Sequence, residues 1–416
     1  MTSNEIKTLD AQNVMQTYGR FDVAIERGKG ATLYSPESKE YIDFTSGIGV
    51  NSIGYGNERW VDAICKQAQN LQHISNLYYS EPYAKLAKEL TTRSGMKNVF
   101  FSNAGGEANE GMIKLARKYS FDKYGKGRST IISLLQSFHG RTITTLAATG
   151  QESFHNYFFP FTDGFKHAPA NDIKALKSML AEHGAVPGTT FGSSALKPVP
   201  PHSDGVCAVL VELIQGEGGV LPLDKDYVKA VAELCQELDL LLLVDEVQTG
   251  VGRTGTLFAF QQYGIKPDVI SFAKGIAGGL PMGGIMANEK CSGVLTPGTH
   301  ATTFGGNPIS AAAALVVLDT LDDKALAEVV KKGEHITKTV QSWKLPIVGE
   351  VRGKGLMIGA SMNGANPKEI AQVCVEKGLL ILTAGADALR MLPPLTITAA
   401  EIDKGLAILK TVLEAV

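Results

Sequence analysis

Apolar runs and helical stripes alternate along the middle of the chain. Residues 107–119 carry apolar side chains three or four positions apart, and residues 60–71 show a similar pattern, so both stretches are predicted to be helices. The apolar runs between such stretches are short and apolar on both faces, which is typical of strands buried in a parallel sheet. The predicted strands are 99–102, 130–134, 208–212, 238–244 and 269–272.

The order of these elements predicts how the chain is organised. Strands that alternate with helices favour a layered α/β domain with a mostly parallel sheet. Strand-like pieces at 31–34 and 41–44 suit a small N-terminal segment, and after Pro308 the pattern changes to a helix at 309–321 and shorter elements. The Gly-, Pro- and Ser-rich stretch 184–204 is predicted to be a surface loop. The expected parts are 1–52, which joins the small domain, 53–308, the large domain, and 309–416, the C-terminal small domain.

Composition and charge argue against several classes of function. The 416 residues carry a formal charge of −2, whereas a nucleic-acid partner requires a concentrated basic face. The five cysteines form no CxxC pair, as expected for reduced thiols in the cytoplasm, and the eight histidines form no metal-binding motif, so no metal site is predicted. Residues 1–10 lack the apolar segment of a signal peptide, and no apolar run is long enough to span a bilayer. We expect a cytoplasmic protein with neither a nucleic-acid nor a membrane partner.

Two predicted strands end in charged residues. Asp245 follows the apolar run 240–244, and Lys274 follows the run 269–273. Ligands of open parallel sheets bind at the carboxyl ends of the strands. Taken alone, Asp245 could cap a helix, and most lysines are solvated surface groups. Together they are what a cofactor with an aldehyde and a pyridine ring requires, because a buried lysine amine forms an imine and an aspartate keeps the ring nitrogen protonated.

Two further strand ends carry candidate ligand contacts. Gly105 and Gly106 lie where a strand passes into a helix, and their amides could approach a phosphate at the helix N-terminus; a tight strand–helix turn is the alternative. Phe138 and Arg141 follow another strand. The phenylalanine could stack on a planar ring, and the arginine could clamp a carboxylate with its planar fork.

The run from Gly250 to Gly255 matches the GxGxxG pattern of dinucleotide-binding folds, with Asp268 farther along the chain. In that fingerprint the first glycine closes the strand and the motif opens a helix. Here residues 246–249 intervene after the strand. Dinucleotide binding is therefore kept only as a remote alternative.

The runs 243–255 and 271–279 resemble the cofactor signature of the class III (ω-amino acid) aminotransferases, which are fold-type I pyridoxal-phosphate enzymes. The resemblance covers nearly the whole chain. It implies a large domain with a mostly parallel, seven-stranded-type sheet, a smaller α+β domain, and pyridoxal 5′-phosphate (PLP) as cofactor. Further stretches that resemble this family are 47–51, 75–82, 302–308, 350–356 and 389–395.

The resemblance also implies roles at the cofactor. Lys274 would hold it as an imine and move a proton between it and the substrate, and Asp245 would pair with the ring nitrogen. The backbone amides of Gly105 and Gly106 would hold the phosphate, with Thr303 reaching it from the neighbouring subunit of a homodimer with shared active sites. The two side chains expected at the ring are Phe138, stacked on it, and Gln248, near its hydroxyl group.

The substrate residues are likewise implied by the resemblance. Arg141 would bind the α-carboxylate of the substrate, with Thr302 nearby. Glu217 and Arg390 would act as a switch pair: Glu217 neutralises Arg390 while the amine donor is bound, then frees it for the second carboxylate of 2-oxoglutarate or glutamate. One site must accept two differently charged substrates in turn, so one arginine has to be maskable.

The expected reaction is therefore the transfer of an ω-amino group to 2-oxoglutarate. The expected donor is N2-acetylornithine, with N-acetylglutamate 5-semialdehyde and glutamate as products, as in arginine biosynthesis. The alternative donors are 4-aminobutyrate, ornithine and succinylornithine, and a non-catalytic binding protein on the same fold is a remote alternative.

Three features depart from the family pattern. Ala104 stands where a serine or threonine is usual, so one hydroxyl beside the phosphate is missing. Leu213 occupies a position that is commonly proline, and the predicted loop 184–204 is longer than is typical. These departures bear on the substrate and leave Lys274 and Asp245 untouched.

Overall fold

The computed structural model describes residues 1–183 and 205–416, so the predicted loop 184–204 lies outside the described residues. The helices are α1 (Ser3–Asn13), α2 (Ser46–Gly49), α3 (Glu58–Asn70), α4 (Glu81–Ser94), α5 (Gly105–Tyr124), α6 (Ile143–Ala148), α7 (Ile173–Glu182), α8 (Lys225–Glu237), α9 (Phe260–Tyr263), α10 (Pro308–Thr320), α11 (Asp323–Ser342), α12 (Pro367–Glu376) and α13 (Ala399–Leu413). The strands are β1 (Arg27–Lys29), β2 (Thr32–Tyr34), β3 (Glu40–Asp43), β4 (Asn98–Ser102), β5 (Arg128–Leu134), β6 (Phe165–Ala168), β7 (Gly205–Glu212), β8 (Ile214–Gln215), β9 (Leu221–Pro222), β10 (Leu241–Asp245), β11 (Val269–Phe272), β12 (Gly283–Ala287), β13 (Val348–Lys354), β14 (Met357–Met362), β15 (Leu379–Leu380), β16 (Leu382–Ala384) and β17 (Ala388–Met391).

A seven-stranded sheet forms the centre of the protein, in the order β4-β12-β11-β10-β7-β5-β6. The pairs β10–β11, β7–β10, β5–β7 and β5–β6 are parallel, and β12 runs antiparallel to both of its neighbours. This is the predicted layered α/β fold with a mostly parallel sheet, which is thereby confirmed.

The central sheet is buried on both faces, as the apolar runs predict. Along β10, Leu241 and Leu243 pack with α5 on one face, and Leu242 and Val244 belong to the core on the other. The helical stripe predicted for residues 107–119 is confirmed as the buried side of α5. Because both faces are covered, the charged residues Glu212 and Asp245 lie at the carboxyl ends of their strands.

Three features of the sheet differ from the predictions. The strand predicted at 238–244 begins only at Leu241, because Leu238 caps α8 by donating its backbone N–H to the carbonyl of Leu234. Strands β6 and β12 are not among the predicted strands. The glycines of β12 pack closely, and a Cβ at Gly284 would lie 2.7 Å from the Phe272 ring, so the strand begins with two residues that are uncommon in strands.

The beginning and the end of the chain meet outside the central sheet. Strands β1, β2 and β3 form a small sheet that β15 joins in parallel to β3, and a separate antiparallel sheet has the order β13-β14-β17-β16. The division at residues 52 and 308 stays a prediction. Among the described residues, no helix is both long enough and apolar enough to cross a membrane.

Candidate active site

A cavity of about 490 Å³ opens at the carboxyl ends of the central strands. It contains seven of the residues singled out from the sequence: Gly105, Gly106, Phe138, Arg141, Asp245, Gln248 and Lys274. The other residues of its lining are Ala104, Glu107, Asn109, His139, Gly140, Thr142, Glu212 and Val247. The topology explains the convergence, because parallel strands deliver their final residues to one edge of the sheet.

Asp245, the last residue of β10, is held as a carboxylate at the base of this cavity. Its Oδ2 lies 2.8 Å from His139 Nδ1 and accepts a hydrogen bond from Asn109 Nδ2 at 2.8 Å, while its Oδ1 accepts from the Val247 amide at 2.9 Å. Burial tends to raise the pKa of Asp245, but these hydrogen bonds outweigh it and hold the pKa below its usual value. A buried ionised carboxylate of this kind is suited to pairing with a protonated ring nitrogen.

Lys274 is the first residue of a short 3-10 turn (Lys274–Ala277) that follows β11. Its φ of 43° places it in the left-handed region, which is uncommon for a residue other than glycine. The turn is fixed from outside, since Ser52 Oγ donates a hydrogen bond to the carbonyl of Gly275 at 2.7 Å. Burial lowers the pKa of Lys274, with Glu217 acting in the opposite direction. A lowered pKa makes the amine available as a nucleophile and base.

The N-terminus of α5 forms part of the cavity wall. Its N-cap residue, Ala104, makes no side-chain capping bond, so no cap side chain occupies the N–H groups of the first turn. A Cβ at Gly105 would lie 2.8 Å from Val247 Cγ1, whereas at Gly106 it would meet nothing nearer than Thr142 at 3.7 Å. Together with the lysine and aspartate, this open helix end fits a phosphorylated pyridine aldehyde.

Two aromatic rings lie next to the guanidinium of Arg141. It lies over the ring of Phe154 at 4.2 Å and near that of Phe138 at 5.7 Å, and the two rings meet edge to face. The Phe138 amide donates to Glu212 Oε2 at 2.8 Å, which anchors the segment. The arginine is exposed on the cavity side, where an incoming carboxylate could reach it.

Glu217 and Arg390 form an ion pair in contact with the lining residue Gln248. Arg390 Nη1 donates to Glu217 Oε1 at 2.7 Å and to Gln248 Oε1 at 3.2 Å, and Nη2 donates to Glu217 Oε2 at 3.2 Å. Arg390 is 3% exposed, and burial tends to raise the pKa of Glu217. Arg390 and Lys274 outweigh that tendency, so the pKa of Glu217 is below its usual value.

Thr302 and Thr303 do not line the cavity of their own chain. Thr302 Oγ1 accepts a hydrogen bond from Asn103 Nδ2 at 3.0 Å, which places it beside the end of β4. Thr303 is exposed. The contact of Thr303 with a neighbouring subunit stays a prediction.

Sequence reasoning gave no role to three buried polar residues of the site. His139 and Asn109 bind Asp245, and Glu212 ends β7 directly beside them. Burial raises the pKa of Glu212 to about 7. Two of these residues could have been found from the sequence. Asn109 is a polar residue next to the apolar stripe of α5, and Glu212 ends a buried strand as Asp245 does.

The GxGxxG run is a structural turn. No helix opens at it, and the next helix, α9, has four residues and begins only at Phe260. Arg253, within the run, is 2% exposed and donates to the carbonyls of Leu356 and Pro393, which ties the turn to the C-terminal part of the chain. The geometry therefore rejects the dinucleotide alternative.

Of the departures, Leu213 is buried, and its carbonyl accepts a hydrogen bond from the Tyr263 hydroxyl at 3.0 Å. Its position in the core gives it a packing role. Ala104 forms part of the cavity wall at the helix end, as its place in the sequence suggests.

Comparisons with known proteins agree with this geometry. Residues 14–413 match the family described as aminotransferase class-III. The chain is 49% identical over 414 residues to the acetylornithine aminotransferase of Haemophilus ducreyi, covering 99% of both chains. The Toxoplasma gondii ornithine aminotransferase, whose structure has partial occupancy of PLP at the active site, superposes with a TM-score of 0.90 at 29% identity over 100% of this chain and 95% of that one. The N-acetylornithine aminotransferase of Stenotrophomonas maltophilia gives 0.80 at 34% identity over 98% of each chain. The chain therefore belongs to the class-III aminotransferases and is an enzyme that uses PLP to transfer amino groups.

Proposed function

We propose that the enzyme transfers the δ-amino group of N2-acetylornithine to 2-oxoglutarate, giving N-acetylglutamate 5-semialdehyde and glutamate, and that it serves arginine biosynthesis in the cytoplasm. The observation that carries the proposal is the Glu217–Arg390 ion pair beside a cavity that contains Lys274 and Asp245. The pair supplies a second, maskable carboxylate receptor. The names of the relatives at 40–49% identity support N2-acetylornithine as the donor.

When bound, PLP supplies an electron sink for the bonds at the substrate carbon. In our proposal Lys274 holds the cofactor and afterwards carries a proton between the substrate carbon and the cofactor, for which its lowered pKa suits it. Asp245, kept ionised by His139 and Asn109, would keep the ring nitrogen protonated. The backbone amides of Gly105 and Gly106 would hold the phosphate, Phe138 would stack on the ring, and Gln248 would serve its hydroxyl group.

In our proposal Arg141 binds the carboxylate that lies away from the reacting carbon, which is the α-carboxylate of the donor, and the place of Thr302 near that carboxylate stays a prediction. During the donor half of the reaction Glu217 neutralises Arg390, so the reacting δ-carbon of the donor, which carries no carboxylate, meets no free cation. During the acceptor half Glu217 moves away, and the carboxylate next to the keto carbon of 2-oxoglutarate takes its place on Arg390. Both arginines are thus used with the acceptor, and one with the donor.

We also propose a homodimer in which Thr303 serves the phosphate site of the partner subunit. Large apolar side chains support it, because Leu77, Tyr79 and Phe304 are 86%, 106% and 60% exposed in the single chain. Phe304 follows Thr303 in the sequence, and Tyr79 lines a neighbouring cavity that includes Gly305. A sedimentation mass of one chain at micromolar concentration would contradict the dimer.

Steady-state kinetics with a panel of amines tests the proposed donor. With 2-oxoglutarate as acceptor, we expect kcat/KM for N2-acetylornithine to exceed that for ornithine and for 4-aminobutyrate by at least about tenfold, which corresponds to about 1.4 kcal/mol of transition-state binding. A higher value for either rival would move the enzyme to that substrate. Succinylornithine is the second candidate to measure, because it carries the same masked α-amino group.

A further inference from the structure

The Gln248 amide contacts the arginine of the Glu217–Arg390 pair. Its Oε1 accepts a hydrogen bond from Arg390 Nη1 at 3.2 Å, and Gln248 is also among the groups that lower the pKa of Glu217. The amide oxygen therefore serves the guanidinium of Arg390. Nothing in this arrangement requires Gln248 to move when the carboxylate is exchanged.

Arg390 needs such a fixed partner. Its side chain is 3% exposed, and its Nε has no hydrogen-bond partner among the described residues. If Glu217 left and nothing else accepted from Arg390, a buried cation would be without partners, which is costly. Gln248 keeps one acceptor on Nη1 throughout the exchange.

Gly216 makes room for this amide. A Cβ at Gly216 would lie within 2.7 Å of the Gln248 Oε1, Cδ and Nε2 atoms, and the backbone of Gly216 is outside the left-handed region that favours glycine. An alanine here is thus compatible with the backbone and collides only with the end of one flexible side chain. The glycine is explained by the position of the amide and not by the turn.

We propose that Gln248 is the stationary partner of Arg390: its amide oxygen orients the guanidinium whether Glu217 or a substrate carboxylate is paired with it, and Gly216 holds the space that this amide occupies. The inference rests on the proposed exchange of Glu217 for a substrate carboxylate. It makes Gln248 a positioning residue for Arg390 and extends the acceptor site to Gly216.

The test uses glutarate, a five-carbon dicarboxylate without a keto group, and measures its Kd for the PLP-loaded enzyme by calorimetry. We expect Gln248→Ala to weaken glutarate binding about tenfold, the effect of one hydrogen bond to a charged group. We expect Gly216→Ala to weaken it several-fold by displacing the same amide. Gly293→Ala is the matched control, because a Cβ there meets nothing within 4 Å, and it should bind glutarate as the wild type does.

The double variant Gly216→Ala/Gln248→Ala separates positioning from general damage. If Gly216 acts through the Gln248 amide, adding Gly216→Ala to Gln248→Ala costs no further affinity. Additive losses, or wild-type glutarate affinity in either single variant, would overturn the inference. Arg390→Ala tests the underlying proposal separately: unchanged glutarate binding in that variant would show that the exchange itself is wrong.

Discussion

The two halves of the active site are built differently. In the half that faces the cofactor, which we call the fixed half, Asp245 ends β10 and Lys274 follows the neighbouring strand β11, and Asp245 is held by His139, Asn109 and the Val247 amide. In the half formed by the switch pair, which we call the exchangeable half, Arg390 lies on a strand of the C-terminal sheet, and its partner Glu217 lies 173 positions away in the chain, between β8 and β9.

The difference follows from what each half does. In our proposal the fixed half performs the same proton transfers on both substrates, so its charges are fixed in advance by hydrogen bonds. The exchangeable half would change its net charge between substrates, for which an ion pair that another carboxylate can replace is suited. A buried arginine with an exchangeable partner gives one cavity two specificities.

The largest expected effect comes from breaking the fixed half at Lys274. We expect Lys274→Ala to lower kcat by more than roughly a thousandfold, because it removes both the nucleophile and the proton carrier. Single-turnover rates with N2-acetylornithine would measure it. Retained turnover within tenfold of wild type would refute the role given to this lysine.

Asp245→Asn should have a smaller but still large effect. The amide is nearly isosteric with the carboxylate but cannot hold the ring nitrogen protonated, so we expect kcat to fall by roughly two to three orders of magnitude. Glutarate affinity should stay within about twofold of wild type, because the substitution leaves the exchangeable half unchanged. Equal losses in kcat and glutarate binding would show that the two halves are not separate.

Glu217→Gln tests the exchangeable half of the site. The neutral amide no longer masks Arg390, so we expect kcat/KM for N2-acetylornithine to fall about tenfold relative to that for glutamate as donor. The ratio of kcat/KM for N2-acetylornithine to kcat/KM for glutamate, each as amino donor, measures the change in preference. A parallel fall for both donors would contradict the switch.

The last expected effect concerns the free energy of unfolding and the buried residue Glu246, which follows Asp245. Burial raises the pKa of Glu246 to about 7 from an ordinary value of 4.5. A raised folded-state pKa means that stability is greatest below the unfolded value and is lost as pH rises from 4.5 through 7. We expect the unfolding free energy of wild type to fall between about pH 5 and pH 8 by roughly 1–3 kcal/mol more than that of Glu246→Gln. Parallel pH profiles of the two proteins would contradict it.

The sequence predicts the fixed half better than the exchangeable one. Asp245 and Lys274 could be found because a charged residue after an apolar run marks the end of a buried strand. Glu217 and Arg390 lie in no such pattern, and only a family resemblance pointed to them. Their pairing depends on how the C-terminal sheet packs against the cavity, which local sequence does not encode.

Within the fixed half, the supporting residues were harder to predict than the catalytic ones. His139 and Asn109 were missed because their role depends on meeting Asp245 across 106 and 136 positions of chain. Similarly, the apolar run at 238–244 did not show where helix ends and strand begins, since both elements bury leucines. Local patterns predict most of the elements and their order. Contacts between side chains that are far apart in the chain depend on the assembled sheet.

The most direct test of the proposed site and donor is an absorption titration of the purified, PLP-loaded enzyme with N2-acetylornithine, with Lys274→Ala as control. We expect the band of the lysine-bound cofactor to disappear stoichiometrically on addition of the amine, to return on addition of 2-oxoglutarate, and to be absent from the variant. A wild-type band that N2-acetylornithine leaves unchanged would contradict the proposed donor, and a band that persists in Lys274→Ala would contradict the site itself.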